Sequence, residues 1–115
     1  MFELIKRACN GINNWNIGVT NDDISSSVAK SDLDVIWFPP KSDGFFADPF
    51  PVNIEDKTYI LLEELDYSTY KGEISYIEYP EGFNKGEINT AHEEPFHMSY
   101  PYPIEHEEEM YVLPE

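Results

Sequence analysis

Basic residues are scarce in this sequence. Seven Lys and Arg stand against 23 Asp and Glu, for a formal net charge of −16. So few cations cannot displace the counterions of a phosphate backbone, which excludes nucleic acid as a partner. The same balance disfavours anionic lipid surfaces and suits neutral or cationic ligands. Cys9 is alone, so no internal disulfide can form, and without a partner His motif it reads as an incidental reduced thiol. No stretch approaches the roughly 20 apolar residues that span a bilayer. The N-terminus has Lys6 and Arg7 but neither a long apolar core nor a small-residue cleavage site, so it is not a secretory leader. A cytoplasmic protein is the default expectation. His92, His97 and His106 lack the spacing of a metal site, and no metal or cofactor is expected. The run from Glu105 to Glu109 lacks the Asp/Asn alternation and the Gly of a calcium loop, and reads as a solvated turn.

What the chain does contain is a repeat. Asp48-Pro49-Phe50-Pro51-Val52, a linker and Thr58-Tyr59-Ile60-Leu61-Leu62-Glu63 return as Tyr100-Pro101-Tyr102-Pro103-Ile104, an equal linker and Met110-Tyr111-Val112-Leu113-Pro114-Glu115. The offset is 52 residues throughout, as from Pro49 to Pro101. Short strands recurring at about this period are the mark of a β-propeller blade. With aromatics at 15% and hydrophobic residues at 41%, the chain is expected to fold. The expected class is all-β: a partial propeller, first blade plus the start of the second, in residues 15–115. Stacked repeats need neighbours to cover their faces, so further blades or self-association are expected.

Along the chain, Phe2, Leu4, Ile5 and Ala8 suggest a short amphipathic helix over residues 2–9, ended by Asn10-Gly11, within an N-terminal extension of residues 1–14. Residues 15–19 and 34–38 read as strands, and residues 21–31 as a polar loop or short helix. Blade strands are expected near 46–52, 58–64, 73–79 and 87–91, with Pro80-Glu81-Gly82 as a turn. Pro49 and Pro51 cannot donate to a ladder, so the first of these strands must keep one side unpaired. Residues 97–104 and 110–115 restart the pattern.

Phe46-Ala47-Asp48-Pro49-Phe50, Tyr59-Ile60-Leu61-Leu62-Glu63-Glu64, Gly72-Glu73-Ile74-Ser75 and Pro95-Phe96-His97-Met98-Ser99-Tyr100-Pro101, in this order, resemble the N-terminal domain family of glucosamine inositolphosphorylceramide transferase. The resemblance covers about residues 15–115. It implies a five-bladed propeller related to those of arabinanases, levansucrases and invertases, and a role beside glycosyl transfer in polysaccharide or glycolipid biosynthesis. The implied partners are a carbohydrate, sugar-nucleotide or glycolipid substrate.

In the related glycosidases an Asp before Pro on the first inner strand is the base or nucleophile, and Asp48 matches it. The repeat puts Tyr100 where a second Asp often stands, and a phenol cannot do a carboxylate's electrostatic work at neutral pH. Asp48 is therefore the candidate catalytic residue, with Glu63, His97, Tyr100 and Glu115 as candidate substrate contacts. Of the adjacent Glu63 and Glu64 only one can face inward, and the repeat favours Glu63. Of the aromatic rings that could stack on a sugar, Phe46 or Trp37 is the one expected near the channel. Three classes stay open: a glycosyl-transfer-associated module, a glycoside hydrolase with Asp48 as base, and a non-catalytic sugar-binding or scaffold module.

Overall fold

The computed structural model describes residues 2–9, 12–23, 25 and 33–115, with side chains from residue 14 onward. Most of the 21–31 loop lies outside the described residues. Among the described residues nine strands form three antiparallel sheets. The first joins β1 (Phe2–Cys9), β2 (Ile12–Thr20) and β3 (Val35–Trp37). The second is a meander of β4 (Gly44–Ile54), β5 (Lys57–Asp66), β6 (Lys71–Tyr79) and β7 (Asn89–His92). The third pairs β8 (Tyr102–His106) with β9 (Glu109–Leu113). The all-β expectation holds. Among the described residues no helix is long and apolar enough to cross a membrane.

The N-terminal helix expected over residues 2–9 is instead β1, paired along its length with β2 from Phe2↔Val19 to Cys9↔Ile12. Phe2, Leu4 and Ala8 fit a period of two as well as a helical one. An isolated eight-residue helix is also marginal, whereas pairing satisfies the backbone. The stop signal expected at Asn10-Gly11 lies outside the described residues.

The sequence repeat is also a repeat of register. In the second sheet Phe50 faces Leu61, Pro51 faces Ile60 and Val52 faces Tyr59. In the third, at the same offset, Tyr102 faces Leu113, Pro103 faces Val112 and Ile104 faces Tyr111. Two-residue turns close both hairpins, with Glu55 at φ 54° and its counterpart Glu107 at φ 51°. Asp48 and its counterpart Tyr100 are both left-handed, at φ 50° and 49°. Ala47 pairs with Glu63, and Ser99 and Glu115 exchange backbone hydrogen bonds of 3.1 and 2.8 Å, so the match runs through Glu115.

Between Ala47↔Glu63 and Phe50↔Leu61 the register slips. Asp48 and Pro49 together oppose Leu62, which makes a β-bulge that re-aims Asp48. Strand β4 lies at the sheet edge, as its prolines require. At the other end of β5, Asp66 accepts bonds from the Ser68 amide (2.7 Å) and hydroxyl (2.6 Å), turning the chain into β6.

Residues of β5 alternate between two covered faces. Ile60 and Leu62 join Ile17, Val19, Phe38, Phe46, Ile77 and Phe83 in the main core, on the side of the first sheet. Phe38 meets Phe46 edge-on and Phe83 at a tilt, each with ring centroids 5.4 Å apart. Phe83 comes from α1 (Glu81–Lys85), a short helix where a simple turn was expected at Pro80-Glu81-Gly82. It is stopped by Gly86 at φ 70°, whose N–H bonds back to Gly82 and Phe83. The opposite face of β5, with Tyr59, Leu61, Glu63 and Leu65, looks toward the third sheet. There Val52, Tyr59, Leu61 and Tyr76 meet Met110 and Val112 around a cavity of about 340 Å³.

Candidate functional site

Glu63 and Glu64 are neighbours on β5 and so point to opposite faces. Glu64 has a cation: Lys41 Nζ lies 2.7 Å from Oε1, and the Ser75 hydroxyl donates to Oε2 at 2.8 Å. Glu63 has none so close. It stands among Leu61, Leu65 and Ile74, all under a tenth exposed, and is itself only 5% exposed. The bulge turns the Asp48 side chain toward it, within hydrogen-bonding reach. Burial first, and then the charge and hydrogen bonding of Asp48, push Glu63 up to about 7 from an ordinary 4.5. Burial and a neighbouring carboxylate both disfavour its charged form, so Glu63 keeps its proton to a higher pH than an isolated carboxyl group does.

A third group closes the cluster. His97 Nε2 lies 3.6 Å from Glu63 Oε1. On the far side of the ring, the Gly72 N–H donates to Nδ1 at 2.9 Å. The Met98 N–H in turn donates to the Gly72 carbonyl at 3.0 Å, tying the segment before β8 to the start of β6. Gly72 is there because nothing larger fits. An added Cβ would lie 2.5 Å from the Met98 carbonyl oxygen, 2.7 Å from Glu63 Oε1 and 2.9 Å from His97 Cε1.

The structure thus gathers Asp48, Glu63 and His97. Tyr100 is half exposed and its ring meets Phe50 edge-on, centroids 4.9 Å apart. The Glu115 side chain is exposed on the third sheet, where it repeats the backbone pairing of Glu63 without its burial. Of the two rings considered for the channel, Phe46 is instead 4% exposed in the main core, on the opposite face of the sheet from Glu63, and Trp37 is 44% exposed on β3. Gly72 was the contributor missed in the sequence, although a glycine within a strand signals close approach of another chain segment.

Chemically, the cluster combines a proton available near neutrality, a carboxylate to accept one, and an imidazole half open to solvent. It can orient hydroxyl groups or move a proton. Asp48 and Glu63 cannot themselves flank a glycosidic bond. That chemistry uses carboxyl groups roughly 5–5.5 Å or 6.5–9.5 Å apart with the sugar between them, whereas Asp48 acts directly on the buried Glu63. Among the described residues no cluster of His, Cys, Asp and Glu is placed to hold a metal.

No curated protein and no solved structure matches the chain. The family model described as glucosamine inositolphosphorylceramide transferase 1, N-terminal, matches residues 12–115. That span takes in β2, the whole second sheet with Asp48, Glu63 and Gly72, and the paired strands that follow His97, so the chain belongs to the glucosamine inositolphosphorylceramide transferase 1 N-terminal family.

Proposed function

We propose that this chain is a carbohydrate-handling module of glycosyl transfer, serving glycolipid or polysaccharide synthesis. In this reading Asp48 meets the sugar, Glu63 holds a proton beside it, and His97 and Tyr100 border the site. The observation that carries it is a break in the repeat. The backbone around Asp48 is duplicated, the left-handed φ and the hairpin register included, yet the Asp48 carboxylate is present in one copy only. A group kept for architecture would recur. The family description supplies the glycolipid context.

The sheets are read as successive blades of a propeller. Support comes from the apolar face of the third sheet. Val52 and Leu61 are 5% and 8% exposed under that sheet, whereas their counterparts Ile104 and Leu113 are 40% and 62% exposed. Those side chains fit beneath another sheet bearing residues like Met110 and Val112. The domain then spans the stacked sheets of residues 15–115, with β1 as part of the preceding extension. Glu115 would meet the next blade as Glu63 meets this one.

A hydrolase reading keeps Asp48 as base but requires an acid other than Glu63. The two are separated by experiment. Titration of the isotopically labelled chain with methyl glycosides, a nucleotide-activated sugar and a glycosylinositol should shift amides around Asp48, Glu63 and His97. Asp48→Asn should abolish the shifts while leaving the rest of the spectrum intact. Release of the leaving group from aryl glycosides would favour the hydrolase. Shifts confined to residues remote from Asp48, or none with any sugar, would leave the scaffold reading.

A further inference from the structure

His97 has a feature that sugar contact does not require. A backbone N–H can only donate, so the Gly72 amide at 2.9 Å forces Nδ1 to be an acceptor. The neutral ring then carries its proton on Nε2, the nitrogen nearest Glu63 Oε1, 3.6 Å away. Gly72 therefore sets the tautomer and, by lacking a Cβ, admits both the ring and the carboxyl group. The arrangement follows the pattern of a histidine whose second nitrogen is fixed by a neighbour so that the first can act.

We propose that His97 is a positioning residue: locked by the Gly72 amide as the Nε2–H tautomer, it keeps that donor facing Glu63 Oε1. Two segments thus bear on the carboxyl group, β4 through Asp48 and the segment before β8 through His97. The inference concerns the order of the cluster and holds whether the ligand is a sugar or not. Its failure would leave the carbohydrate reading standing, because that reading rests on Asp48.

The test uses the full chain without ligand. Long-range nitrogen–proton correlation spectra, with side-chain nitrogens labelled in histidine, read the tautomer of each ring. His97 should show an unprotonated Nδ1 and a protonated Nε2, while the exposed His92 and His106 report their own populations as internal references. In His97→Asn the amide oxygen can still accept the Gly72 N–H, but no donor reaches Glu63. That variant should keep the Gly72 and Met98 amide signals and raise the titration midpoint of the Glu63 carboxyl carbon, since a donor to its charged form is lost. His97→Ala should lose both. A proton on Nδ1 in the parent chain would overturn the proposal outright. So would a folded His97→Asn chain whose Glu63 midpoint is unmoved.

Discussion

Glu63→Gln should stabilise this protein at alkaline pH and leave it nearly unchanged at acid pH. In the fold the Glu63 carboxyl titrates at about 7, and in the unfolded chain near the ordinary 4.5. Below 4.5 both states are protonated and the group costs nothing. Between the two values the unfolded chain has released the proton and the folded chain still holds it, so stability falls as pH rises. Above about 7 the carboxylate is charged in both states and the full cost persists. A gap of about 2.5 pH units, at 1.36 kcal/mol each, gives about 3 kcal/mol. Glutamine fills the same space, still donates to Asp48, and never pays for ionisation. Urea unfolding followed by the fluorescence of Trp15 and Trp37, for both proteins from about pH 4 to about pH 8, measures the difference directly. The contributions of all other groups are common to both chains and cancel in the difference. The stability advantage of the variant should therefore grow from near zero to about 3 kcal/mol across that range. A constant difference, or a variant less stable at pH 8, would refute the raised titration of Glu63.

Asp48→Asn should draw the Glu63 titration midpoint down toward the ordinary value, because one of its causes is the Asp48 charge, and carbon NMR of the carboxyl group reads this. Its effect on stability should be small, since Asn tolerates the left-handed conformation at φ 50° as Asp does. Gly72→Ala should cost about 1–3 kcal/mol through overpacking and speed hydrogen exchange at the Met98 amide, whose bond to Gly72 it strains. Phe38→Ala should cost about 3–5 kcal/mol in urea unfolding, because the ring is buried between Phe46 and Phe83. Tyr111→Ser with Leu113→Ser should reduce hydrophobic-dye binding and concentration-dependent sedimentation with little loss of stability, both side chains being about half exposed or more.

The second sheet was legible because its signals agree. Alternating apolar residues, turn residues and a copy elsewhere in the chain all indicate the same strands, and the 52-residue offset carries over to register without change. The N-terminal stretch was misread because eight residues with apolar positions at 2, 4, 5 and 8 satisfy two periods, and the choice is made by pairing with β2. The helix at Glu81–Lys85 is too short for periodicity to reveal, and it carries Phe83 into the core before Gly86 ends it. At the site, Asp48 and Glu63 were marked by the repeat. Their contact was not, because it depends on a bulge one residue deep. Gly72 was invisible as a site residue, since its role is the side chain it lacks.

The one-sided carboxylate also says why the site lies where it does. A β-bulge followed by proline holds residue 48 in a conformation that costs a side chain energy, and the chain adopts it again at Tyr100. The strain therefore belongs to the repeat and precedes any chemistry. What differs is the use made of it. In the third sheet the left-handed residue turns a ring onto Phe50 and joins two sheets. In the second it turns a carboxylate onto a buried acid that His97, from the segment before β8, also approaches. Exchanging the pair, with Asp48→Tyr and Tyr100→Asp together, should preserve the strands, because each residue keeps its backbone role. It should return Glu63 toward ordinary titration and create no raised acid beside residue 100, since Glu115 is exposed. If Glu63 kept its elevated midpoint in the exchanged chain, burial alone would account for it, and Asp48 would have no part in it.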